Sequence, residues 1–271
     1  MSKYILFIPA GGFNDCICCL SRLRDWAQEN NRILLYDTRR SLYHINFYDY
    51  FDISDPNIIF DSVRIDEICS NTELTIIPGY FRSRFPSFLK KGGTVYDTYV
   101  NKSPPVNPGE DITVHCFSGG GYGYKMFKEL IIKDNLKNYC KDKIKLLPEK
   151  YLCIQVRDTD RKNNYKKLYE DNRKYIDSYD TIYIATDNKD VYDFFKTVHK
   201  NALNYCVFPE SLTKRSLHAT PQNPDVKIKS MMCDLYIAAM SNHIISTSHG
   251  GFIMLLHACF ENKQHVTIMF D

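Results

Sequence analysis

Tyr151 to Asp160 reads YLCIQVRDTD, and the fold turns on this stretch. Tyr151–Val156 is rich in β-forming residues and apolar apart from Gln155, then breaks off into Arg157-Asp158-Thr159-Asp160. A short apolar run ended by charges reads as a buried strand of a parallel sheet. In open α/β sheets ligands bind outside the carboxyl ends of the strands. The strand therefore delivers Arg157, Asp158 and Asp160 to the edge where a ligand is expected.

Outward from this strand the chain alternates. Downstream, the spacing predicts a helix around 163–178 and a strand at 181–185 ending in Thr186-Asp187. A helix at 189–200, a strand at 204–208 and a helix at 227–241 follow. The series closes with a strand at 243–246, a helix from Gly251 to Phe260 and a last strand at Ile268-Met269-Phe270. Upstream, a strand at 4–8 runs into Pro9-Ala10-Gly11-Gly12-Phe13-Asn14-Asp15. A helix from Cys16 to Asn30 and a strand at 33–36 complete a βαβ unit. Short strands are expected at 57–60, 74–77 and 112–117, then a second glycine loop at 118–123 and a helix to Cys140. The polar stretch Lys141–Lys150, with Pro148, is the expected boundary. The expectation is an α/β chain of two Rossmann-like domains facing a cleft, 1–145 and 146–271, with the last residues packing back on the first domain.

With 271 residues, 44% of them hydrophobic, the chain can bury one core or two modest ones. Lys+Arg 35 against Asp+Glu 32 gives a net charge of +3, without the basic excess of a nucleic-acid binder. The basic, aromatic run at 161–175 is interrupted by Glu170 and Asp171 and reads as a solvated helix face. The 10 cysteines are scattered through apolar segments, and Cys16, Cys18 and Cys19 lack the partners of a zinc site. MSKYILFIPAGG has too short an apolar run for a membrane span or a signal peptide. The expectation is a soluble, cytoplasmic protein in a reducing compartment, with no metal, no cofactor and no nucleic-acid partner.

Several residues can carry chemistry, each with a plainer alternative. The forked guanidinium of Arg157 suits a diphosphate, where it would stabilise charge developing on a leaving group. It equally suits an ion pair with Asp160 or Asp187. Ser246-Thr247-Ser248-His249-Gly250 joins a strand to a helix N-terminus, an anion-suited turn that is also common as a plain capped turn. Asp234 lies among apolar neighbours and can accept hydrogen bonds from a base, or stand as a solvated helix carboxylate. Thr186 and Asp187 line the same edge or cap the next helix. Gly11, Gly12, Phe13 and Asn14 let backbone approach a donor. Asp15 is a candidate general base or a helix cap, with Asp160 and Glu210 as substitutes for the base. His115 and Tyr122 border an acceptor if the second glycine loop is more than a turn. Asp158-Thr159-Asp160 is also a DxD, the metal-binding motif of GT-A enzymes.

Three downstream segments resemble the fucosyltransferase superfamily of GT-B fold, which includes α1,6-, nodulation and protein O-fucosyltransferases. They are CIQVRDTDRKNNY, TIYIATDNKDVYDFFK and SMMCDLYIAAMSNHIISTSHGGFIMLLHACF. AGGFNDCICCLSRLRDW resembles the glycine loop and first helix of the same enzymes. The resemblance implies a GT-B arrangement, with 1–145 on the acceptor side and 146–271 on the nucleotide-sugar side, and a metal-independent, inverting transfer from a GDP-sugar donor, fucose by default, to a glycan hydroxyl. It places Arg157 on the β-phosphate arginine, Asp160 on the aspartate of the motif and Asp234 on the guanine-contacting aspartate. Gln155 stands where a base-contacting histidine is common, Asp158 where a second arginine is common, and His249-Gly250-Gly251 replaces a Ser-Ser loop. A UDP-sugar or xylosyl transferase and a non-catalytic nucleotide-sugar-binding module are the competing readings.

Overall fold

The computed structural model describes residues 2–9, 11–39, 45–81, 108–117, 120–158, 163–208 and 223–271. Asp160, Glu210 and Ser118 lie outside these residues. The chain forms two compact units, Met1–Lys133 and Asp134–Asp271.

In the first unit β1 (Lys3–Pro9), β2 (Arg32–Tyr36), β4 (Ile58–Ile59), β5 (Ile76–Ile77) and β6 (Ile112–Phe117) form one parallel sheet in the order β4-β2-β1-β6-β5. Ile5, Leu6, Phe7 and Ile8 of β1 are all buried, as a central parallel strand covered on both faces requires. One face packs Leu6, Ile8, Leu35 and Val114 against Ile65 and Cys69 of α2 (Ser62–Ser70). That helix is absent from the sequence expectation, although Asp61 caps it by accepting from the Val63 and Arg64 amides. The opening helix α1 starts earlier than expected, at Phe13, and runs to Glu29. Phe13 is buried against Phe47, Phe51 and Phe127, so its ring is a core group.

The expected single helix up to Cys140 is three elements: α3 (Tyr124–Phe127), β7 (Leu130–Ile132) and α4 (Asp134–Ile144). Leu130 and Ile132 are buried while Ile131 is exposed, a period of two, and β7 pairs antiparallel with β3 (Phe51–Ile53). The units therefore part before α4, upstream of the expected boundary at 145, because α4 packs on a helix of the second unit.

In the second unit β8 (Leu152–Val156), β9 (Ile182–Thr186), β10 (Ala202–Leu203) and β11 (His243–Ser246) make a parallel sheet in the order β10-β9-β8-β11. Leu152, Ile154, Val156, Ile182 and Ile184 meet α5 (Tyr165–Ile176) and α6 (Lys189–Val198) through Leu168, Ile176, Val191 and Phe195. Tyr183, of opposite parity, meets α7 (Pro224–Met240). The strand expected at 204–208 is instead the short β10, because the Asn204 side chain takes the Ile184 carbonyl (2.6 Å) and turns the chain out of the ladder. α8 (Gly251–Glu261) follows β11. The expected last strand is a helix, α9 (Lys263–Phe270), with Val266, Met269 and Phe270 buried at helical spacing. Phe270 stacks on Tyr236 of α7 with ring centroids 4.1 Å apart, so the chain's end packs within its own unit. Truncating this fully buried ring in F270A should cost about 3 kcal/mol, read as a lower urea midpoint with unchanged m-value.

Candidate functional site

β8, β9 and β11 end side by side, and the backbone beyond β8 is held by side chains rather than by the sheet. The Arg157 amide donates to Ser248 Oγ (2.9 Å), and the Arg157 carbonyl accepts from Asn163 Nδ2. The Asp158 amide donates to Asp187 Oδ1 (3.2 Å), and the Asp158 carbonyl accepts from Asn188 Nδ2 (3.2 Å). Backbone groups that leave a sheet buried must find partners, and here loops from neighbouring strand ends supply them. Arg157 is left half-buried at the sheet's C-terminal edge.

Gln155 and Ser246 occupy paired positions of β8 and β11, and the Ser246 hydroxyl donates to Gln155 Oε1 (2.7 Å) while accepting from the Ser248 amide (2.9 Å). Gln155 and Ser248 are buried, Thr247 and His249 exposed. The serines thus shape the turn rather than simply lining it. Gly250 has φ 143°, a conformation that L side chains rarely adopt, and it opens α8, whose first turn has no side-chain cap. Uncapped amides at the N-terminus of α8, next to Arg157's anchor Ser248, form an edge suited to an anion. Thr186 is buried and accepts from the Asn188 amide (3.2 Å), and Asp187 is half-buried.

Asp234 is not a solvated carboxylate. It is 6% exposed on α7, with Oδ1 accepting from the Tyr183 hydroxyl (2.6 Å) and Oδ2 from the Cys206 thiol (3.1 Å). Burial pushes its carboxyl up to about 7, against the hydrogen bonds from Tyr183 and Cys206 that pull it down. A base reaching Asp234 would compete with the Cys206 thiol for Oδ2.

In the first unit the two glycine loops are sewn together by Asn14, which is buried. Its Nδ2 donates to the Gly121 carbonyl (3.0 Å) and its Oδ1 accepts from the Gly123 amide (3.2 Å). A Cβ at Gly123 would lie 2.5 Å from Asn14 Oδ1, and one at Gly121 2.5 Å from Cys18 Sγ, so these glycines permit close approach to α1. Asp15 Oδ2 accepts from the Gly12 amide (3.3 Å) and sits against Gly11, where a Cβ would come within 2.8 Å. His115 is buried on β6 beside Phe7, and Tyr122 is 54% exposed. Sequence reasoning missed Asn163, Asn188, Tyr183 and Cys206. Only Asn188 left a signal, as the residue before a helix.

The raised Asp234 carboxyl has a consequence for stability. Between about pH 4 and 7 the folded chain binds more protons than the unfolded one, so stability falls as pH rises through that window. Relative to D234N, which does not titrate, the wild type should lose about 2 kcal/mol between pH 5 and pH 8 in denaturant melts. A difference that stays flat with pH would contradict a buried carboxylate.

Comparison of the sequence with protein-family models and with curated proteins yields no match. Solved structures do match. A NodZ α-1,6-fucosyltransferase co-crystallised with GDP is 14% identical, with a TM-score of 0.60 over 94% of this chain and 92% of that one. The fucosyltransferase NodZ from Bradyrhizobium matches at 14% identity and TM-score 0.59, covering 94% of this chain and 93% of that one. POFUT1 in complex with GDP matches at 10% identity and TM-score 0.56, covering 97% and 96%. The likeness spans both units, and by it this chain has the GT-B fold of the fucosyltransferase structures.

Proposed function

We propose that the chain is a glycosyltransferase that moves a sugar, fucose by default, from a GDP-linked donor to a glycan hydroxyl with inversion. The observation that carries this is Arg157, anchored at the C-terminal end of β8 beside the uncapped start of α8. It stands in a fold shared with structures that hold GDP.

Breaking the glycosidic bond leaves negative charge on the β-phosphate. A guanidinium held in place before the reaction stabilises that charge without reorganising, and the α8 amides add to it. Both act more strongly on the transition state than on the bound donor, which raises the rate as well as the affinity. In this mechanism the acceptor oxygen attacks the anomeric carbon in a single displacement and its proton passes to a base, which we assign to Asp15. Asp234 reads the base of the nucleotide once the Cys206 thiol yields Oδ2. The protein works in a reducing compartment, in keeping with ten free cysteines, nine of them buried.

A metal-dependent reaction through the DxD is disfavoured by one observation. Both Asp158 oxygens already accept N–H donors, from the Asn163 amide (2.9 Å) and Asn188 Nδ2 (3.1 Å). Among the described residues no helix is long and apolar enough to cross a membrane.

A thermal-shift comparison of GDP, UDP, CDP and dTDP should single out GDP. A ligand at a hundred times its Kd adds about 2.7 kcal/mol to apparent stability. R157A should fold, lose this shift in large part and transfer from GDP-fucose at least about a hundred-fold more slowly. A near-normal rate in R157A, or a rate abolished by EDTA, would overturn the mechanism. For Asp15, D15N should slow transfer by about two orders of magnitude at normal stability, because asparagine keeps an acceptor for the Gly12 amide. An unchanged rate in D15N would leave Asp15 as a helix cap only.

A further inference from the structure

Asp158 is a buried charged group at the β8 edge, 6% exposed, that the proposed reaction does not use. Its carboxylate closes a ring of hydrogen bonds around the main chain of Arg157. Oδ1 accepts from the Asn163 amide (2.9 Å), and Asn163 in turn donates its side-chain amide to the Arg157 carbonyl. Oδ2 accepts from Asn188 Nδ2 (3.1 Å), which also holds the Asp158 carbonyl (3.2 Å).

The amide of Asn188 cannot turn round to suit another partner. Its Oδ1 already caps α6 by accepting from the Asp190 amide (2.9 Å), so its nitrogen must face Asp158. Two N–H donors therefore converge on residue 158, and a carboxylate is the side chain of this size that offers acceptors only. An asparagine there would set an N–H against one of them.

We propose that Asp158 is a positioning residue for the diphosphate clamp, acting through the backbone of Arg157. The inference rests on the reading of Arg157 as the ligand of the leaving phosphate. Asp158 holds both asparagines, and through them the carbonyls of residues 157 and 158, while Ser248 and Asp187 hold the two amides. The Arg157 Cα is thereby fixed from both sides. A displacement of about 1 Å at such a group can cost up to about a hundred-fold in rate.

The test is calorimetric titration of GDP and of GMP, which lacks the β-phosphate, into wild type, R157A, D158A, D158N and the double variant R157A/D158A. D158A and D158N should each weaken GDP about ten-fold and leave GMP within about two-fold, and the double variant should bind GDP no more weakly than R157A alone. D158N conserves volume and gives the same answer should D158A fail to fold. Equal losses for GDP and GMP, or losses that multiply in the double variant, would show general loosening of the fold and overturn the proposal. A wild type that prefers GDP through Arg157, with both Asp158 variants unaffected, would overturn the positioning role alone. A wild type with no preference for GDP over GMP would overturn the reading of Arg157 and the positioning role with it.

Discussion

The second unit depends on one constraint: the main chain leaving β8 must satisfy its polar groups after the sheet has stopped supplying partners. Ser248, Asp187, Asn163 and Asn188 meet it, from loops that follow β11, β9 and β8 itself. A ladder would have continued the strand and buried Arg157 in the sheet. Side-chain partners end the strand and leave the guanidinium half-buried at the edge, where a ligand can reach it. The same bonds tie the strand ends together. Preorganisation of this kind is what electrostatic stabilisation of a leaving group requires.

Asp234 shows the opposite economy. A carboxylate inside α7, a helix buried nearly all round, is costly as an anion, and Tyr183 and Cys206 offset only part of that cost. Under the proposed function, a base with adjacent N–H donors would satisfy the charge better than a thiol does.

Much of the architecture was legible in the sequence because parallel strands buried on both faces read as short apolar runs. β1, β2, β6, β8, β9 and β11 announce themselves that way. The failures share a cause. β7 alternates over Leu130–Ile132, too few residues to outweigh the helical spacing around it, and only pairing with β3 reveals it. Ile268-Met269-Phe270 is β-prone and reads as a strand, while stacking on Tyr236 favours the helix α9. The second glycine loop reads as an acceptor border or a plain turn, but Gly121 and Gly123 pack closely on α1, more than a hundred residues earlier.

The sequence by itself determined that a strand would carry Arg157 to a sheet edge and that a small-residue turn would open a helix beside β11. Local chemistry suffices for that, because β-propensity, charge and glycine act within a few residues. What only the tertiary structure decided is how Arg157 is held, that Asp158 is an acceptor for two asparagines, and that Asp234 is buried on Tyr183 and Cys206. Those assignments depend on donors and acceptors meeting across separate strand ends. Hydrogen bonds form between neighbours in space, and no local spacing encodes which strand ends the sheet will set side by side.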